Sequence, residues 1–185
     1  RQDFLRQVRL NREARVKQSV EYNIIQDNMR PGAITRDGML GHDRRNLRDI
    51  IEADDAAVRR LGLTHAAIAA RMRELRDAGR SGLGETVTVH GHFDVRVDSV
   101  RGKLPCPFRH AGLFDKEFVE VLNRENGART TFSSLNIHMI ETHGFYEGTG
   151  SPFRLEPALL ARALGLKWDC GLDGGKVDCE QMRGK

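Results

Sequence analysis

The sequence predicts an α+β fold, helices first and an antiparallel sheet after them, on three observations. Apolar residues recur at three- and four-residue steps up to Gly79. At Glu85 the period switches from 3.6 to 2. An Asn126-Gly127 pair then sits between two β-rich runs, the strongest short-range signal for a hairpin.

Taken in order, Leu5, Val8, Val16, Val20 and Ile24 predict a first helix that ends before Pro31-Gly32. Residues 30–43 lack a period and read as a loop. Asp43 is the expected N-cap of a second helix, whose stripe is Leu47, Ile50, Ile51, Val58 and Leu61, with Gly62 ending it. Thr64 caps a third, with Ile68, Met72 and Leu75 inward.

Val87, Val89, Phe93, Val95 and Val97 all occupy odd positions, between polar even ones. They predict one strand, or two joined without loss of parity, with one face buried and one wet. Gly91 marks an expected bulge within that segment. Residues 118–122 and 128–132 form the hairpin around Asn126-Gly127. Ser133 caps a helix carrying Leu135, Met139 and Ile140 and closed by Gly144. Pro157 suits the first turn of a last helix with Leu159, Leu160 and Leu164 inward. The whole reads as a single domain over residues 1–165, mainly helical over 1–80, with hairpins and helices over 85–165, an antiparallel sheet of three to four strands and short C-terminal helices. A loose tail over 166–185 follows.

The 185 residues suffice for one domain with a real core. Net charge is +4, and the first twenty residues alone carry that excess: six basic groups against Asp3 and Glu13. Arg6, Arg9 and Arg12 are the candidate contacts to nucleic acid, or to a protein partner or second copy of the chain lying along that helix. Three cysteines do not make an even disulfide framework, and no apolar run approaches a membrane span. The expected setting is therefore the reducing cytoplasm, with no membrane.

Seven histidines are spread unevenly. Cys106 and His110 stand four apart in Leu-Pro-Cys-Pro-Phe-Arg-His. His138 and His143 stand five apart on the helix capped by Ser133. One thiolate and three imidazoles suit a tetrahedral zinc ion, so Cys106, His110, His138 and His143 are the candidate metal ligands. The last helical turn is expected to loosen so that both helix histidines reach one ion. Leu135-x₂-His138-x₄-His143 resembles the helix half of a Cys₂His₂ zinc finger, and the order of ligand loop, hairpin and two-ligand helix is similar. The resemblance covers about forty residues. It differs in having His110 where the second cysteine would stand, and about 27 residues between ligand pairs instead of about 12.

Four protein ligands imply a structural zinc ion in a small cytosolic binding or regulatory domain. A metal-dependent hydrolase is the alternative, with one ligand released, a water admitted and Glu141 as base. Nucleic-acid binding through the basic N-terminal helix is a third reading. The stretch Gly144–Arg154, with three glycines and an arginine, is expected to be a folded surface loop pinned by Phe145, Tyr146 and Phe153; Glu147 opposes its use as an anion cradle.

Overall fold

A computed structural model describes residues 18–167. The candidate arm residues Arg6, Arg9 and Arg12, the tail from residue 168 and its cysteines lie outside the described residues. Among the described residues, five α-helices flank a four-stranded antiparallel sheet in the order β1-β2-β3-β4. The helices are α1 (Val20–Asn28), α2 (Leu47–Arg60), α3 (His65–Gly79), α4 (Ser134–His143) and α5 (Pro157–Ala163). The strands are β1 (Val87–Val89), β2 (Phe93–Pro105), β3 (Leu113–Asn123) and β4 (Arg129–Ser133). Among the described residues no helix is long and apolar enough to cross a membrane.

The period-2 segment is two strands. Val89 N-terminally and Phe93 C-terminally face each other across a turn whose central residues, His90 and Gly91, have φ of 50° and 75°. Two successive positive φ values are what a tight right-twisting hairpin turn needs. Gly91 therefore makes a turn and not a bulge. Because Val87 pairs with Val95 and Val89 with Phe93, the odd residues stay on one face through the reversal. That face carries the core: Val95, Val97, Val119, Val121 and Phe132 meet Ile68, Met72 and Leu75 of α3 and Ile137 and Ile140 of α4. Gly79 lets the end of α3 touch the sheet, since a Cβ there would lie 2.6 Å from the Val95 side chain.

The long β2–β3 hairpin goes further than alternation indicates. A register shift between Val100 and Lys103 interrupts the pleat, and pairing resumes through Leu104–Phe114 and Pro105–Leu113. Residues 106–112 form the loop that closes this arm.

A second apolar cluster joins Ile25 of α1, its C-cap Met29, Met39 of the following loop, Leu47 and Ile50 of α2, and Leu135, Met139 and Phe145 around α4. Leu104, Phe108 and Phe114 pack onto it from the hairpin arm. The loop is therefore drawn back against α4, and the Asn28 side chain donates to the Pro107 carbonyl at 3.0 Å to hold it there.

Three local expectations are corrected. Val20 and Ile24 are exposed, and α1 buries Ile25 instead, with Met29 buried at its C-cap. Asn46, not Asp43, caps α2, accepting from the Asp49 N–H at 2.9 Å. Leu159 is exposed on α5, whereas Leu160 and Leu164 are buried.

Candidate metal centre

Helix α4 sets the first two donors. Ser133 and Asn136 form a reciprocal capping box at its start, the Ser133 hydroxyl accepting from the Asn136 N–H and the Asn136 side chain accepting from the Ser133 N–H. Leu135 and Met139 anchor it in one cluster, Ile137 and Ile140 in the other. His138 and His143 are left on the edge facing the 106–112 loop. The helix runs regularly through His143, where Gly144 takes over in the left-handed conformation (φ 61°). No loosened turn is needed to bring the histidines together.

The third donor comes from the loop. Cys106 is buried and free, and the backbone N–H groups of Phe108 and His110 donate to its sulfur. Such bonds support a thiolate. The ligand atoms of Cys106, His138 and His143 all lie within 4.8 Å of one another. Cys106 Sγ is 3.5 Å from His143 Nε2. Zinc–sulfur and zinc–nitrogen bonds of about 2.3 and about 2.05 Å at a tetrahedral angle place the two donors about 3.6 Å apart. That edge of the tetrahedron is already set.

His138 carries the most telling atom. Its Nδ1 lies 3.3 Å from the Thr142 hydroxyl one turn on. Its Nε2 is buried and has no hydrogen-bond partner. With the proton assigned to Nδ1 and donated to Thr142, the Nε2 lone pair is free, the arrangement common for a metal-bound imidazole. Aromatic neighbours hold both rings: Phe108 stacks on His143 at 4.1 Å and 7°, and Phe114 stacks on His138 at 4.3 Å and 27°.

The electrostatics favour neutral imidazoles. Burial, then the neighbouring His138 and His110, bring His143 down to about 4. Burial lowers His138 as well, with His110 assisting and Glu141 opposing. Burial pushes the Cys106 thiol up against its two N–H donors, so a cation must displace the thiol proton on binding.

His110, the fourth sequence candidate, is near but different. It is exposed, its ring parallel to His138 with centroids 5.1 Å apart and perpendicular to His143 at 5.6 Å. It does not join the close group of three donors. Glu141 pairs with Arg73 of α3.

The Gly144–Arg154 stretch is no anion cradle. Arg154 is held by Asp54, at 2.6 and 2.7 Å, and by the Glu147 carbonyl at 2.8 Å. Sequence reasoning did not find the aromatic supports Phe108 and Phe114 or the Thr142 hydroxyl; an aromatic flanking each ligand, two residues after Cys106 and four after His110, was the available signal. Compared with known proteins, the chain matches no family model, no curated protein and no solved structure.

Proposed function

We propose that the chain is a small binding or regulatory domain in which one zinc ion, held by Cys106, His138 and His143 with His110 as fourth ligand, staples the β2–β3 arm to α4. The observation that carries this reading is the buried, partnerless Nε2 of His138 beside a thiol and a second neutral imidazole. An uncompensated buried acceptor costs about 1–3 kcal/mol, and a metal–nitrogen bond removes that cost. One thiolate with imidazoles suits zinc better than calcium or magnesium, which prefer oxygen. A free Cys106 suits a reducing compartment such as the cytoplasm. The hydrolase alternative loses support because Glu141, its intended base, is engaged by Arg73.

Binding to the folded state alone adds stability of RT ln(1 + [L]/Kd), about 2.7 kcal/mol at a hundredfold excess over Kd. Elemental analysis is expected to find one zinc per chain, and chelation to lower the melting temperature by several degrees. Cys106→Ser and His138→Ala should melt like the chelated protein and show no zinc response. A protein purified without zinc, whose melting is insensitive to both zinc and chelator, would refute the centre.

A further inference from the structure

The four candidate ligands are unequally held. Cys106 receives two backbone N–H groups; His143 lies flat on Phe108; His138 is fixed by Phe114 and Thr142. His110 has neither a backbone N–H nor a phenylalanine against it; its ring touches only the rings of His138 and His143 among the described residues. It is exposed, within the 106–112 loop that faces α4. It follows Arg109, which has a φ of 62° and forms no ion pair with a described residue. The loop beyond it passes through Gly112, around which a side chain would meet nothing within 4 Å.

Charge adds a direction. A divalent cation with one thiolate and neutral imidazoles keeps a net charge of +1, and the Arg109 guanidinium lies next in the chain. An anionic donor at the fourth position would neutralise the centre, whereas His110 leaves it charged.

Resting on the metal centre proposed above, we propose that His110 is an exchangeable ligand, and that the centre accepts a small anionic monodentate donor, of the thiolate or azide class, in its place. The step is a ligand exchange. The metal–nitrogen bond to His110 breaks, the imidazole leaves neutral with its electron pair, and the anion supplies the new pair. No electron or proton is gained or lost. The centre goes from +1 to neutral, while Cys106, His138 and His143 remain bound.

The test loads the full chain with cobalt(II) and titrates it with sodium azide. Visible d–d bands report the coordination shell, and the near-ultraviolet thiolate-to-cobalt band reports Cys106. Azide should shift the d–d bands saturably at one equivalent per chain while the thiolate band persists. If His110 fills the position about nine-tenths of the time, His110→Ala should bind azide about tenfold more tightly. Arg109→Ala should weaken it. No spectral response in either the wild type or His110→Ala would overturn exchangeability and leave the metal centre standing. Equal azide affinity in the two would overturn the role of His110. Failure of the thiolate band to appear on adding cobalt would remove the centre itself, and the exchange with it.

Discussion

Two polar clusters flank helix α4, and they are built on opposite rules. Around Glu147 every group is matched. Asp54 takes both ends of the Arg154 guanidinium, Arg154 also donates to the Glu147 carbonyl, and the Glu147 carboxylate accepts from Asn136 at 3.0 Å and from the Ser151 hydroxyl. Burial raises Glu147, against the Ser151 and Asn136 bonds that favour its charged form. Around His138 the groups are soft or neutral, two rings are clamped by phenylalanines, and one buried nitrogen has no partner. The first cluster is complete as it stands, which is how a protein joins distant segments. The second leaves one buried nitrogen open to a further partner. Two sites against one helix, the first buried and the second half-buried, thus differ in whether their hydrogen bonds close.

The largest expected effect lies in the framework cluster. Arg154→Met leaves the buried Asp54 carboxylate without its bidentate partner, and breaking a buried pair by removing one member costs about 3–5 kcal/mol. Asp54 and Arg154 lie 100 residues apart, so the loss would loosen α2 from the 144–156 loop. Denaturant melts should show this loss equally with zinc or with chelator. A loss that zinc abolishes would mean that the two clusters are one coupled unit, and the contrast between them would fail.

Asp43 gives a smaller and pH-dependent effect. Burial opposes its ionisation, but bonds from the Arg45 side chain, the Thr149 N–H and the Arg45 N–H prevail, holding it at about 2 against an ordinary 3.8. A depressed carboxyl contributes stability that is fully present above the unfolded value and is lost as pH falls through the folded one. The contribution should therefore fade between about pH 4 and pH 2, and Asp43→Asn should remove roughly 1–2 kcal/mol at neutral pH, the partly exposed Arg45 being screened. Acid unfolding curves of the variant and the wild type should converge near pH 2. Parallel curves over that range would show that Asp43 matters through shape alone.

Much of this was legible in the sequence where the cause is local. Val87 to Val97 show the pleat because one face meets α3 and α4 and the other meets water. Thr64 and Ser133 announce helix starts because capping needs only the next three residues. Cys106, His110, His138 and His143 were legible as a candidate group because these residue types recur on a short loop and a later helix, and the fold brings three of them together and leaves His110 outside the close group. The hairpin arm beyond Val100 was not, since the register shift breaks the alternation at Arg101-Gly102. Asp54 reads as an exposed acid beside Asp55, and only the tertiary fold brings Arg154 to it. Ile24 has the helical spacing of a core residue yet faces out, because what covers a short helix depends on its neighbours and not on its own period.

The smallest effect tests whether histidine content or site geometry governs metal binding. His90 and His92 sit in and beside the β1–β2 turn, two residues apart, a pair that by residue type alone rivals His138 and His143. Their surroundings differ. His90 Nε2 meets Glu74 at 2.6 Å at the surface, and His92 Nδ1 meets the His90 carbonyl at 2.9 Å while its ring rests on Phe93. Both rings therefore have partners already, and neither faces a thiol. Asparagine tolerates the positive φ of position 90. His90→Asn and His92→Ala should each shift stability by no more than about 0.5 kcal/mol, the usual range for surface changes. Zinc stoichiometry and the zinc-dependent rise in melting temperature should be unchanged in both. If either variant lost its zinc while Cys106→Ser kept it, the ion would belong to the turn, and the partnerless nitrogen of His138 would have to be explained without a metal.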